Sequence, residues 1–377
     1  MRIGIMLRSI GEKGGIGVYT RNITRELLDL DRDNEYILFY LSRSEMGRYA
    51  HYDHASERFI RAPTKAVWDQ LSVPVACWKE KVDVLFHPKF TVPLLAPCKT
   101  VMVLHGAGWF MPEFQNYWSK SDIRYARAAM PIYCRRASAV ISVSQLTTDT
   151  FNRLFQLPPG KITTVYFAPA RNFQRVSERQ LLDQVRDKYE LPERFILTLS
   201  GYDRGDRKNI AGIISVFRSH HGITQHHLVV GGKDCSKFKT DYEIPDNGYG
   251  KDIHFPDWID QEDLPAIYTL ADVFLYPSHV EAFPIPITEA LACGTPIITS
   301  NANGLLEIVG DAAICVKPDD HEEIAAALHQ VLTEPRIRED LSARGTQRAA
   351  KFSWDRCARE TLRILEDAVH KRNVDKS

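Results

Sequence analysis

The chain has 377 residues, 44% hydrophobic and 25% charged, which suits two domains of ordinary globular composition and excludes a fibrous or disordered protein. Lys plus Arg equals Asp plus Glu at 48 each, and without a basic motif this balance argues against a nucleic-acid binder. The charge is uneven, however: residues 1–170 hold 22 cations against 15 acids, and residues 171–377 hold 26 against 33. A basic first half suits an anionic partner or a membrane surface; opposite charges drawing the halves together explain it equally well.

Met1 to Leu7 reads as a first strand rather than a signal peptide, and no apolar run approaches the roughly 18 residues of a membrane span. Strands are expected at 2–7, 36–41, 82–86, 100–104 and 139–143 in the first half. In the second half they are expected at 195–200, 226–230, 272–276, 296–299 and 312–316. Continuous apolar runs separated by helical periodicity mean buried parallel strands with crossover helices, hence an α/β protein. Pro158-Pro159-Gly160, the strand-like ITTVYF and a polar helical stretch at 171–190 separate the two series. The domains are therefore 1–170 and 171–354, and a closing helix over 353–370 ends in frayed residues. The seven cysteines are scattered without C-x-x-C spacing, which excludes a disulfide framework or structural zinc and points to the cytoplasm.

In open parallel sheets, ligands bind beyond the carboxyl ends of strands, where loops feed helix N-termini. After the first strand stands Gly11-Glu12-Lys13-Gly14-Gly15-Ile16-Gly17, either a close approach to a ligand or a plain tight turn. His105, in a glycine-flanked loop after the strand at 100–104, is placed for acid/base or hydrogen-bonding work; the other reading is a histidine that caps the loop. Gly201-Tyr202-Asp203-Arg204-Gly205-Asp206-Arg207-Lys208-Asn209 follows the first strand of the second half. Paired cations ahead of a helix N-terminus suit a diphosphate; the other reading is a solvated charged loop. In Glu281-Ala-Phe-Pro-Ile-Pro-Ile-Thr-Glu289, two prolines are expected to delay the helix to about residue 287. Glu281 then lies on a loop and Glu289 in the first helical turns, where one carboxylate can face sugar hydroxyls and the other a ribose; the purely structural reading is that Glu289 favours the helix N-terminus. Asp29-x-Asp31-x-Asp33 superficially matches a metal-binding D-x-D pattern, but it lies between a helix and a strand and reads as a polar connection.

Together these residues resemble the retaining glycosyltransferases of the GT-B fold that carry the E-x7-E motif, glycosyltransferase family 4 or group 1, in its mannosyltransferase-like branch. The most specific stretch is SHVEAFPIPITEALACGTPIITS around Glu281 and Glu289. GGIGVYTRNI at 14–23, WDQLSVP at 68–74, DVLFHP at 83–88, VLHG at 103–106, VSQLTTD at 143–149, RKN at 207–209 and GDAA at 310–313 support it in order and spacing. The resemblance implies two Rossmann-like domains facing across a deep cleft. The N-terminal domain would bind the acceptor and the C-terminal one a nucleotide sugar, with the final helix, about 355–377, crossing back onto the first. By similarity Glu281 contacts the donor sugar, Glu289 the ribose and Lys208 the diphosphate, while His105 lines the reaction centre. Gly15, Gly17, Arg207, Trp258, Phe283, Pro284 and Ile285 complete the donor side; Trp109 and Arg124 are placed on the acceptor side.

Three positions depart from the family pattern. Tyr202 stands where an Arg is usual, with Arg207 as the substitute guanidinium; Gly106 replaces the Asp that follows the histidine; Pro284 removes a backbone N–H beside the sugar. The implied reaction is metal-independent transfer with retention, from a nucleotide-diphosphate sugar to a saccharide or lipid-linked saccharide, with no cofactor. GDP-mannose is the expected donor, and UDP-glucose, other UDP-sugars or a dTDP-sugar are the alternatives. The basic, aromatic stretch 118–136 suggests peripheral contact with the cytoplasmic face of a membrane; an ordinary solvated helix face interrupted by Pro131 is the competing reading. Rival functions are a nucleotide-sugar epimerase and a non-catalytic nucleotide-sugar-binding subunit.

Overall fold

The computed structural model describes residues 1–12, 14–202, 206–220, 225–302 and 304–370, apart from the side chains of Glu113 and Phe114. Asp203, Arg204 and Gly205 of the cationic loop, Lys13 of the glycine-rich turn and residues 371–377 of the closing helix lie outside the described residues. The chain forms two compact units, Met1–Phe167 with Ser353–Ser377, and Ala168–Phe352.

The first unit is built on seven strands: β1 (Arg2–Met6), β2 (Glu35–Tyr40), β3 (Ala55–Phe59), β4 (Val84–His87), β5 (Lys99–Leu104), β6 (Ala139–Ser142) and β7 (Ile162–Thr164). They lie in the order β3-β2-β1-β4-β5-β6-β7, every pairing parallel. Helices cover the faces, so Ile3, Ile5, Leu38, Phe39, Val101 and Val103 are all fully buried, which is why the strands read as unbroken apolar runs. β3 gives no such run because it is an edge strand: ASERF is mostly half-exposed, and Glu57 accepts from the Tyr40 hydroxyl at 2.9 Å. The terminal helix Trp354–His370 belongs to this unit, with Trp354 stacked on Phe167 (5.5 Å) and tilted against Tyr19 (5.8 Å).

Six strands make the second unit: β8 (Phe195–Leu199), β9 (His227–Gly231), β10 (Ile253–His254), β11 (Val273–Tyr276), β12 (Ile297–Ser300) and β13 (Ile314–Val316). Their order is β10-β9-β8-β11-β12-β13, again parallel throughout. β10 has only two residues and leaves too little periodicity to be read from sequence. In each sheet one strand pairs with neighbours that wind in opposite directions, β1 between β2 and β4, and β8 between β9 and β11. Such a switch point opens a crevice beyond the strand ends where ligands bind.

Two expectations about proline are corrected. The helix after Glu281 begins at Ile285, not near 287, because Pro286 sits in the first turn, where its missing N–H would be unpaired anyway. Likewise Pro131 does not interrupt the basic stretch: one helix runs from Lys120 to Arg136 across it.

Candidate functional site

In the second unit the crevice lies beyond β8 and β11. The loop after β8 leads through Arg207 and Lys208 to the helix Ile210–Ser219, whose N-cap Asn209 takes a left-handed conformation (φ 60°). Asn209 fixes the loop by accepting from the Gly212 N–H (3.2 Å) and donating to the carbonyls of Pro277 (3.3 Å) and Pro318 (2.6 Å). Ser278 donates to the Arg207 carbonyl (3.0 Å), as does the backbone N–H of His279. The two loops following β8 and β11 are therefore tied to each other through side chains that the sequence separates by about seventy residues.

This places the cations against the carboxylates. Arg207 Nη1 donates to Glu281 Oε1 at 2.5 Å and to the Val280 carbonyl at 2.8 Å. The same Glu281 oxygen accepts from the Tyr276 hydroxyl at 2.7 Å. Lys208 extends its ammonium to the Leu199 carbonyl (2.9 Å), at the end of β8, and over the Tyr276 ring (5.4 Å). Glu289, buried on the helix Ile285–Cys293, accepts from the Tyr268 hydroxyl at 3.1 Å. Burial pushes the Glu289 carboxyl up to about 7, against the opposing pull of Tyr268 and Lys208. The structure thus brings Arg207, Lys208, Glu281 and Glu289 into one cluster, with Tyr276 and Tyr268 as partners that sequence reasoning missed. Tyr276 carried a signal: it is the last residue of a strand.

One expectation fails here. The N-terminus of helix Ile210–Ser219 was to complement a diphosphate, but its first donors are already used. Asp206 accepts from Ile210 (2.6 Å) and Ala211 (3.0 Å), and Asn209 takes Gly212, so the carboxylate occupies the place of the anion. The helix Ile285–Cys293 starts after Pro284 with no side-chain cap, and ends at Gly294 in the left-handed region (φ 69°), where glycine is unstrained. Phe283 is buried with its ring edge-on to Phe352 (5.8 Å), and Pro284 and Ile285 form the helix entry. Trp258 lies on the loop after the edge strand β10, half exposed, donating to Asp260 at 3.0 Å.

In the first unit, His105 follows β5 and its Nε2–H donates to the Pro88 carbonyl at 2.9 Å, with Tyr19 edge-on at 5.0 Å. Burial lowers the imidazole to about 4, so at neutral pH it is uncharged and suited to hydrogen bonding rather than proton donation. Gly15 opens the helix Gly15–Leu30. A Cβ on Gly17 would lie 1.8 Å from the Glu12 carbonyl oxygen, so the turn's own backbone demands that glycine. Trp109 packs edge-on to Phe90 (4.9 Å) and Trp118 (6.3 Å), and Arg124 is exposed on the helix Lys120–Arg136.

Sequence reasoning also missed a buried polar group beyond β1 and β4. Arg8 pairs with Asp69 at 3.0 Å with both side chains buried, and Thr91 donates to Asp69 at 3.2 Å. His87 donates from Nδ1 to the Thr91 carbonyl at 2.7 Å, and Lys89 pairs with Glu12 at 2.6 Å. Its signals were the WDQ and FHP stretches, which carry Asp69 and His87. Asp31 of the D-x-D pattern accepts from Tyr36 (2.6 Å) and Asn34 (2.8 Å), and Asp29 from Tyr52 (2.6 Å). Among the described residues no group of three or more His, Cys, Asp or Glu is arranged to hold a metal ion.

The chain matches known proteins in family and in fold. Residues 13–167 match the family described as Glycosyltransferase Family 4, and residues 183–348 match Glycosyl transferases group 1. The chain is 30% identical to O-antigen chain mannosyltransferase B of Escherichia coli over 286 residues, 74% of this chain and 73% of that one. It is 26% identical to the serotype-specific mannosyltransferase WbdA of Escherichia coli over 68% of its own length, but spans only 32% of WbdA. The fold matches that of Anabaena Alr3699/HepE in complex with UDP and glucose, with a TM-score of 0.75 at 17% identity, covering 97% of this chain and 100% of that one. On the strength of both family matches and the mannosyltransferase relative, the chain belongs to the group 1, family 4 glycosyltransferases, with two parallel-sheet Rossmann-like units of the GT-B type.

Proposed function

We propose that the protein transfers mannose with retention from GDP-mannose to a saccharide or lipid-linked saccharide in polysaccharide synthesis, without a metal. The single observation that carries the reading is the Arg207–Lys208–Glu281–Glu289 cluster at the switch point of the second unit. Two cations beside two carboxylates suit a ligand with an anionic centre and hydroxyl groups on both sides. The second unit then binds the donor and the first the acceptor. Mannose rests on the mannosyltransferase relatives, and a UDP-sugar is the alternative donor.

In the proposed reaction the anomeric C–O bond to the diphosphate breaks as the acceptor oxygen bonds to the same face of the sugar. The acceptor proton passes to the leaving phosphate oxygen, so no protein nucleophile is needed. Lys208 and Arg207 stabilise the negative charge that grows on the diphosphate, an effect worth most when the groups are already in place. Glu281, held by Arg207 and Tyr276, takes sugar hydroxyls, and Glu289 takes the ribose. Neutral His105 accepts a hydrogen bond at Nδ1, since Nε2 is committed to Pro88. For Asp31 the carboxylate is engaged by Tyr36 and Asn34, which supports a structural part for the D-x-D stretch.

A thermal-shift screen of GDP-mannose, UDP-glucose, UDP-galactose and dTDP-rhamnose in EDTA tests the donor directly. GDP-mannose alone is expected to raise Tm, by an amount set by its concentration over Kd. A shift only with UDP-sugars transfers the assignment to that class; a shift that appears only when divalent metal is restored overturns metal independence. Formation of a new glycoside, rather than an epimerised donor, separates transfer from epimerisation.

A further inference from the structure

Among the described residues no helix is long and apolar enough to cross a membrane, yet the first unit leaves a cluster of large apolar side chains uncovered. The chain is continuously helical from Lys65 to Lys79, with a π-helical turn at Trp68–Ser72 inside it. One side of this segment is ordinary core: Trp68, Val73 and Cys77 are buried. Leu71, Val75 and Trp78 recur at the spacing of a single helical face and are 58%, 53% and 71% exposed. An amphipathic helix normally turns such a stripe inward, so an outward one calls for a partner.

The stripe is extended by neighbours that hydrogen bonds hold in place. Gln70 donates to the Val92 carbonyl (3.1 Å) and accepts from the Leu94 N–H (2.9 Å), which sets the loop after β4 beside Leu71. Arg136 Nε donates to the Leu94 carbonyl at 2.7 Å, tying the end of helix Lys120–Arg136 to the same loop. The next residue, Leu95, is 78% exposed, and Tyr125 and Ile132 on that helix are more than half exposed. Cations surround them: Lys65 and Lys79 on one segment, Arg124, Arg127, Arg135 and Arg136 on the other, all exposed. The acids of the two segments are Asp69, which is buried, and Asp122, which binds the Ser119 hydroxyl.

We propose that this face, formed by Leu71, Val75, Trp78 and Leu95 with the flanking cations, docks the protein on an anionic lipid bilayer. Exposed aliphatic side chains enter the headgroup boundary, the Trp78 indole sits at the interface, and the cations meet lipid phosphates. The charge decides between occupants: a second copy of this basic face would bring like charges together, whereas an anionic bilayer complements them. Residues 71–78 and 95 add a second, more apolar contact to the basic stretch 118–136. The loop that presents Leu95 begins at Pro88 and Lys89, the partners of His105 and Glu12, so the docking face and the strand ends of this unit share one short segment. It rests on the proposed function only in that a lipid-linked acceptor gives the docking a purpose.

Co-sedimentation with vesicles tests it, comparing phosphatidylcholine alone with phosphatidylcholine containing about one quarter phosphatidylglycerol. The full chain is expected to sediment with the anionic vesicles only, and the combined Leu71→Ser, Val75→Ser and Trp78→Ser protein to bind about ten-fold more weakly or less. Lys79→Gln with Arg127→Gln gives an independent loss, about five-fold for each charge removed and so about twenty-five-fold together, that added salt reproduces in the parent. All five positions are exposed, and an unchanged melting temperature certifies the fold of each variant. Failure of the parent to bind anionic vesicles, or equal binding by the stripe variant, overturns the proposal. A parent dimer that the stripe variant dissociates, without vesicle binding, assigns the face to a second copy instead. Vesicle binding without a nucleotide-sugar thermal shift leaves the docking face standing and removes the proposed reaction; a shift without vesicle binding does the reverse.

Discussion

The two units place charged side chains beyond the carboxyl ends of parallel strands, yet they hold those charges differently. In the second unit the Arg207–Glu281 pair remains partly exposed, at 27% and 12%, and Glu289 is poised near neutrality. In the first, Arg8 and Asp69 are 9% and 8% exposed, and burial raises the Asp69 carboxyl above its usual range despite the guanidinium. His105 has likewise lost its charge to burial. The difference separates two uses of charge. A pair that keeps contact with solvent can exchange partners when an anion arrives, whereas a pair taken almost wholly out of water is committed to its partner, because separating the two would leave a buried charge uncompensated.

Asp69→Asn gives the largest expected break in that contrast. It leaves the buried Arg8 without a counter-charge and is expected to cost about 3–5 kcal/mol in urea unfolding. A cost below about 1 kcal/mol would place the pair with ordinary surface ion pairs and erase the distinction. For the second unit, Glu281→Ala is expected to lower kcat/KM by about 10²-fold in a sugar-transfer assay while Tm stays within a few degrees. Near-normal turnover in that variant would remove Glu281 from the donor site.

Glu289 sharpens the comparison through pH. Its folded-state carboxyl is raised to about 7 from an ordinary 4.5, so below about 4.5 the acid is protonated in folded and unfolded chains alike. Between 4.5 and 7 the unfolded chain ionises first, and this group's contribution to stability falls as pH rises through that window. Glu289→Gln removes the fall, so its Tm relative to the parent is expected to be higher at pH 8 than at pH 5. Donor affinity is expected to move the other way, strengthening in the parent as pH rises through about 7 and flat in Glu289→Gln. His105 is not the source of such a profile, because its imidazole titrates near 4. An unchanged profile in Glu289→Gln would show that another group carries it.

The smallest expected effect is Gly294→Ala, about 1–2 kcal/mol, since the left-handed C-cap strains any side chain and the new Cβ would lie 3.0 Å from Ser342 Oγ. Turnover per folded molecule should be unaltered.

The sequence by itself determined much of the architecture. Runs such as RIGIM, TVMVL and FILTL declare buried parallel strands because both faces of the sheet are covered, and periodicity alone marks the helices between them. It also put His105, Lys208, Glu281 and Glu289 at strand ends or helix starts, where backbone geometry is local. Only tertiary structure decided which charges meet. Arg207 and Glu281 are 74 residues apart, Asn209 and Pro318 are 109 apart, and no local pattern encodes either pairing. The same holds for burial: Asp206 reads as one more residue of a charged loop until its carboxylate is seen capping the helix that was to receive a phosphate. Leu71, Val75 and Trp78 read as ordinary helix-face residues until folding shows which face of that helix the core has left outside. Periodicity is a property of neighbouring residues, whereas charge pairing and desolvation depend on distant segments brought together, and those come only with the fold.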